Sequence, residues 1–214
     1  MTKISLLSIV LIALALSGCG ALLGKAEPMN VRYFAPAFEA LPNAAGSVQA
    51  LPLRLGRIEG SEHLHERMAY RTSEHEIGYY EGFRWTEQPD SYFRRALGRE
   101  LFEKQRFAHV VAGVAPTLEA ELVAFEELRE RKAVRIEARV LVHDGRRVLL
   151  EQTVRVEESR SDDTPDAVAE ALSRALQKCV SQISTEVENA LSNAAVPAAP
   201  TSRSASAGAS VTPS

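Results

Sequence analysis

The sequence predicts an α+β domain: a mixed, mainly antiparallel sheet with two helices packed on one face, forming a two-layer sandwich. Three observations lead there. Residues 118–124 and 134–142 alternate apolar and polar side chains with a period of two, the mark of half-buried strands. Two segments opening at Pro89 and Pro165 repeat apolar residues every three or four positions, the mark of amphipathic helices. The elements come in the order strand, hairpin, helix, strand, three-strand meander, helix, which lets both helices cover one sheet face.

Each element has a local reason. Val31-Arg32-Tyr33-Phe34 is a short aromatic cluster in an Ala-, Pro- and Gly-rich stretch and reads as the first strand. Val48 to Ile58 alternates partially through Leu51, Leu53 and Leu55, so it reads as the second. Met68 to Arg71 and Ile77 to Trp85 follow as strands, with Ser73 to Glu76 as the turn between them. Pro89 opens a helix of about four turns ending near Gln105, with Phe93, Ala96, Leu97 and Leu101 on its inner face. Phe107 to Val111 returns to strand composition.

In the two alternating runs the dominant apolar positions are even-numbered: Leu118, Ala120, Leu122 and Ala124, then Val134, Ile136, Ala138, Val140 and Val142. A third run carries Val148, Leu150, Val154 and Val156. Apolar residues that share one face require paired positions to differ by an even number. A three-residue loop of His143, Asp144 and Gly145 keeps that parity and puts Gly145 where a left-handed residue is wanted. It predicts Val142 opposite Arg146 and Val140 opposite Val148. The opposite face, dense in Glu and Arg, would meet water or a partner.

The last helix runs from Pro165 to Leu191, with Asp163 or Thr164 as cap and Asp166 near the positive end of the dipole. Its stripe of Val168, Leu172, Ala175, Leu176, Cys179, Val180, Ile183, Val187 and Leu191 is expected to pack on the sheet.

Composition narrows the function. Twenty-five Lys plus Arg against 28 Asp plus Glu in 214 residues leave a net charge of -3, so no general cationic surface exists for coating nucleic acid. At the N-terminus, Lys3 precedes the apolar run Ile4 to Leu16, the layout of a secretory signal. Such a run reaches roughly 20 Å as a helix, short of the ~30 Å hydrocarbon core.

Leu16-Ser17-Gly18-Cys19 follows and resembles the lipobox of bacterial lipoproteins, in which the Cys thiol accepts diacylglycerol. The organisation expected is therefore a signal peptide at 1–18, a lipidated tether at 19–29, a domain at 30–192 and an Ala/Pro/Ser-rich disordered tail at 193–214. Added acyl chains such as palmitate would hold the protein on a membrane rather than in it. Gly20 stands where the Asp favouring inner-membrane retention in bacterial lipoproteins would be, which points to the periplasmic face of the outer membrane. With Cys19 blocked, Cys179 has no disulfide partner and is expected to be a core residue.

No catalytic constellation emerges. His63, His65 and His75 lack Cys partners and carboxylates at metal-ligand spacing, so a solvated loop is favoured over a metal site. His143 and Asp144 fall in the hairpin turn, where Asp is wanted for backbone reasons. Gly-x-Ser-x-Gly, His-Glu-x-x-His and phosphate-binding Gly-rich loops do not occur, and no cofactor is implied. The run Glu126-Glu127-Leu128-Arg129-Glu130-Arg131-Lys132 reads as a solvated turn between strands. Arg94, Arg95 and Arg99 make a modest basic patch diluted by nearby acids.

Met68-Ala69-Tyr70-Arg71, then Ile77-Gly78-Tyr79-Tyr80, then Arg84-Trp85-Thr86-Glu87-Gln88-Pro89 resemble, in order and spacing, the ABC-type transport auxiliary lipoprotein family. The likeness runs from Val31 to Leu191 and includes the lipobox. The charged segment Glu59 to Arg67 and the C-terminal tail depart from the family pattern. The resemblance implies a non-enzymatic outer-membrane component of an intermembrane lipid transport system. Its implied partners are ABC transporter subunits and a periplasmic protein with mammalian-cell-entry domains; analogy with symmetric conduits adds a homo-oligomer.

Tyr70, Arg71, Tyr79, Tyr80 and Trp85, with Phe83 among them, form the candidate contact region for partner or lipid; the competing reading is that most of these rings fill the core. Two other functions fit the same anchor and fold class. One is an outer-membrane lipoprotein that assembles or regulates another envelope machine, such as a pilotin or a peptidoglycan-synthase activator. The other is a lipid-anchored hydrolase.

Overall fold

The computed structural model describes residues 29–37, 50–104 and 106–195. The expected signal peptide, Cys19 and most of the tether, and the tail from residue 196 on, lie outside the described residues. No helix among the described residues is long and apolar enough to cross a membrane.

Among the described residues the sheet has eight strands and is open, and its spine is β6, Thr117–Leu128. Along one edge β6 pairs antiparallel with β7, Ala133–His143, which pairs antiparallel with β8, Val148–Ser159. The other edge is shared. Its first half takes β2, Leu51–Gly60, in parallel, from Arg54 opposite Thr117 to Gly60 opposite Leu122. Its last three residues take β3, Arg67–Arg71, also in parallel, with Ala69 opposite Glu126.

Between these strands the chain leaves the edge at Ser61 and returns at Arg67, so the charged segment singled out in the sequence is an insert in one line of pairing. It is pinned where it departs: Ser61 N–H donates to the Leu122 carbonyl at 2.9 Å. Beyond β2 lies β5, Phe107–His109; beyond β3 lie β4, Ile77–Trp85, and β1, Arg32–Phe34. The two longest pairings, β6–β7 and β7–β8, are antiparallel, giving the mixed, mainly antiparallel sheet expected.

Both helices cover one face. Helix α1, Pro89–Gly98, buries Tyr92, Phe93, Ala96 and Leu97, and a π-helical turn at Arg99–Glu103 carries Leu101 into the same core. The expected helix of about four turns thus keeps its extent, from Pro89 to Glu103, but its last turn is π-helical rather than α-helical. Two arginines of the basic patch are engaged, Arg95 with Glu87 at 2.9 Å and the half-buried Arg99 with Glu103 at 3.3 Å, while Arg94 is exposed.

Helix α2, Pro165–Ala195, buries every residue of the predicted stripe, Cys179 included. Thr164 is its cap: the hydroxyl accepts the Ala167 N–H at 3.2 Å, while Asp162 accepts the Thr164 N–H at 2.7 Å.

Three further features differ from the expectation. First, β6 continues past Ala124, and a bulge between Leu122 and Ala124 reverses its parity. Before the bulge Leu118, Ala120 and Leu122 face the helices; after it Phe125 and Glu127 do, opposite Ile136 and Val134.

Second, the β7–β8 hairpin keeps the even parity but in another register. Val142 faces Leu150 rather than Arg146, and Val140 faces Gln152 rather than Val148. The cause is Asp144, whose carboxylate accepts the N–H groups of Arg146 and Arg147 at 2.9 and 2.8 Å and so stabilises a wider loop. Those backbone bonds, with the Arg147 guanidinium, hold its carboxyl down to about 2. Gly145 does take the left-handed conformation, with φ 84°.

Third, the charge run 126–132 is only half a solvated turn. Glu126 and Glu127 are strand residues, 0% and 2% exposed. The turn proper begins at Arg129 and ends at Lys132, which takes a positive φ of 48°. Carboxylates tolerate such burial only when paired: Glu126 meets Arg71 and Arg135, both outside the run, and Glu127 meets Arg160 and, from within the run, Arg129.

Candidate functional site

Tyr70 and Arg71 are neighbours on a strand, so they point to opposite faces. On the helix side, Tyr70 meets Tyr80 edge to face at 5.1 Å, Tyr80 meets Phe83 at 5.1 Å, and Phe83 meets Phe34 at 6.0 Å. The Arg129 guanidinium lies 3.3 Å over the Tyr70 ring and 4.8 Å from the Tyr80 centroid, close enough for cation–π attraction. Tyr70, Tyr80 and Phe83 are half-buried, so this row is a partly wetted ridge rather than a sealed core.

A buried charge network supports the ridge. The Tyr80 hydroxyl donates to the Glu127 carboxylate, which also meets Arg160 at 3.0 Å and Arg129 at 3.5 Å. Burial first, and then this bond to Glu127, pushes the Tyr80 phenol above its ordinary pKa. Arg160 sits just ahead of α2, so the network ties the end of β6, the ridge and the start of the last helix together.

On the open side, Arg71 donates to Glu126 through Nε at 2.9 Å and through a terminal nitrogen at 3.3 Å, and Arg135 reaches the same carboxylate. Tyr79 also faces away from the ridge. Its hydroxyl donates to the His63 carbonyl at 2.8 Å, and its ring lies near Arg67 and His65, so it fastens the insert between β2 and β3.

Trp85 does not join either group. It is 1% exposed and packs edge to face on Phe125 at 5.2 Å and on Tyr92 at 6.2 Å. This corrects its place among the contact residues: the inward pleat at the end of β4 puts the indole in the core beneath α1. The residues after it organise the helix start. The Tyr92 hydroxyl lies 2.6 Å from the Thr86 hydroxyl and accepts the Glu87 N–H at 3.0 Å, and Pro89 opens α1.

The open face of the sheet is a board of alternating signs. Arg139 pairs with Glu121 at 3.4 Å, Arg155 with Glu137 at 2.7 Å and Arg131 with Glu157 at 3.2 Å. Two open hollows cross it. One of about 650 Å³ is lined by Arg57, Glu121, Arg139, Leu141 and Thr153 among others, and one of about 350 Å³ by Arg71, Arg131, Arg135 and Arg155 among others. Among the described residues no group of three or more His, Cys, Asp or Glu side chains could hold a metal ion. What ridge and board offer is contact: ring edges, guanidinium donors and carboxylate acceptors held in fixed positions.

Of the expected contact residues, Tyr70, Tyr80 and Phe83 lie together in the ridge, while Arg71 and Tyr79 lie on the reverse face. It misses Phe34, Arg129, Glu127 and Arg160. The signal available was the pair Glu126-Glu127 at the end of an alternating strand, where one carboxylate must face inward and find cations.

A family model for the ABC-type transport auxiliary lipoprotein component matches residues 36–184. The chain belongs to that family. Its fold is shared by protein XCC0632 from Xanthomonas campestris, of family DUF330, at TM-score 0.66 and 18% identity, over 77% of this chain and 98% of that one. A second crystal structure, of a protein described as uncharacterized, is similar at TM-score 0.58 and 13% identity, over 72% and 97% of the two chains. Comparison with curated proteins finds no match. As a family member the chain is a lipoprotein component auxiliary to ABC-type transport, and the Tyr-Arg strand, the strand ending in Trp85 and the start of α1 all fall inside the matched span.

Proposed function

We propose that this protein is a non-enzymatic, lipid-anchored periplasmic component of an intermembrane lipid transport system, working with ABC transporter subunits and a mammalian-cell-entry-domain protein. Its anchor is diacylglycerol on Cys19, and its membrane is the outer one. The observation that carries the reading is the family match over residues 36–184 behind the lipobox Leu16-Ser17-Gly18-Cys19.

The physics supports it. Several acyl chains on one Cys hold a protein stably at a bilayer, whereas a single chain gives marginal binding. Confinement there raises its effective concentration for any conduit ending at that membrane. The half-buried ridge of Tyr70, Tyr80 and Phe83, with Arg71 and Tyr79 on the reverse face, is the surface assigned to the partner.

Labelling cells with a radioactive fatty acid and then separating the two membranes tests the anchor and its location. The label should follow the wild-type chain into the outer-membrane fraction and be absent from a Cys19→Ala variant. Label at another residue, or a wild-type chain in the soluble periplasm, overturns the anchored reading.

A further inference from the structure

The end of the sheet where β6 begins carries apolar surface that the fold does not use. Between β5 and β6 the chain reads Val110-Val111-Ala112-Gly113-Val114-Ala115-Pro116, without a polar side chain. Val111 is 81% exposed and Val114 is 100% exposed, with Ala112 and Gly113 exposed between them. A loop that merely connects two strands is ordinarily polar, and apolar residues gathered at an exposed tip mark a contact surface.

The tip is held, not loose. At one foot Val110 N–H donates to the Leu53 carbonyl at 3.0 Å; at the other Arg54 N–H donates to the Pro116 carbonyl at 2.8 Å. The Arg54 guanidinium donates to the Gly113 carbonyl in the middle. Gly113 has φ 96° and nothing within 4 Å of where a Cβ would stand, so backbone conformation rather than crowding calls for glycine there.

Sheet register adds a second element. His143 lies opposite Thr117, so the β7–β8 hairpin closes beside the second foot of this loop. It carries Val148, 59% exposed, and the exposed Arg146 and Arg147. The hairpin's acid, Asp144, is engaged by Arg147 at 3.0 Å and by two backbone N–H groups. Exposed valines beside an exposed arginine suit an interfacial membrane contact: Val111, Val114 and Val148 enter the headgroup boundary and the Arg146 guanidinium meets anionic lipid, while Arg147 is held by Asp144.

We propose that loop 110–116 and hairpin 143–148 together form a second contact with a bilayer surface, orienting the domain on the membrane that holds its anchor. The choice of a bilayer as the occupant rests on the lipid-anchored reading. The interval from Cys19 to Arg32 permits it, since a chain of that length spans at most about 45 Å.

The test uses the lipidated full chain in vesicles of phosphatidylethanolamine and phosphatidylglycerol. Trp85 is the only native tryptophan and is buried, so Val114→Trp adds a reporter at a position that no packing constrains. Glu130→Trp, in the exposed turn at the other end of β6, is the control. Brominated lipid should quench the emission added at position 114, which should also shift to the blue, and should leave that at position 130 unchanged. Flotation of the protein with no quenching at 114, or with equal quenching at both positions, overturns the loop contact while leaving the anchor standing. A wild-type chain that does not float with vesicles overturns both. Loss of ABC-subunit capture in a Val114→Asp variant, with position 114 unquenched, would assign the loop to a protein and also overturn it.

Discussion

The ring of Tyr70 lies across the backbone of Gly78, its cross-strand partner: a Cβ at position 78 would stand 2.5 Å from the Tyr70 Cζ. The glycine therefore provides the floor on which the first ring of the ridge rests, an aromatic covering a bare backbone position. A Gly78→Ala chain is expected to lose about 1–3 kcal/mol, the usual range for overpacking. Denaturant unfolding measures it. Tyr70→Ala in the same chain should recover much of the loss, since the clash is with the ring alone.

Glu126 and the surface pair Arg131–Glu157 should separate clearly by stability. Glu126 is wholly buried and satisfies both Arg71 and Arg135. Removing it by Glu126→Ala leaves two guanidinium groups facing one another and is expected to cost about 3 kcal/mol or more. Arg131 and Glu157 are both well exposed, so Arg131→Ala should cost less than about 1 kcal/mol. Urea midpoints of the two variants decide it.

Trp85 should behave as a core residue and not as a contact. Its native emission should be blue and inaccessible to iodide, shifting to the red only on unfolding. Trp85→Ala is expected to cost about 3–5 kcal/mol, while Trp85→Phe, once folded, should capture partners as the wild type does. Weakened capture by a stably folded Trp85→Phe chain would restore the indole to the contact surface.

Burial pushes the Cys179 thiol up to about 12. The folded protein should therefore resist iodoacetamide at pH 8 and react at Cys179 when denatured. The sign of the pH dependence follows. Because the folded pKa is raised, this thiol's contribution to stability is fully present below the ordinary value of 9.0 and is lost as pH rises towards 12. Alkylation of native protein at pH 8, followed by mass spectrometry, checks the first part; unfolding midpoints through alkaline pH check the second.

The contrast between Trp85 and Glu126 shows how far sequence carries this protein. Period-two alternation made the inward faces of β7 and the first half of β6 legible, and period-3.6 spacing did the same for α2 down to Cys179. The bulge after Leu122 left no Gly or Pro to announce it, so the reversed parity that buries Glu127 was hidden. Glu126 looked solvated because its partners, Arg71 and Arg135, come from different strands. In the hairpin, parity was legible but register was not, because the carboxylate of Asp144 selects the wider loop.

The candidate site was readable in part for the same reason. The order Tyr70-Arg71, Gly78-Tyr79-Tyr80 and Trp85 placed these residues on β3 and β4, where they lie, but did not sort them between the two faces. Which rings are wetted depends on Phe125 and Tyr92 above Trp85, and on Arg129 above Tyr70, all of which come from other elements.

The most direct test of the central claim is affinity capture of the lipidated protein from native envelopes after crosslinking, with Cys19→Ala as control and with partners and bound lipids identified by mass spectrometry. The account predicts ABC transporter subunits and a mammalian-cell-entry protein, recovered with lipid and dependent on Cys19. Recovery instead of a secretin or a cell-wall synthase would contradict it.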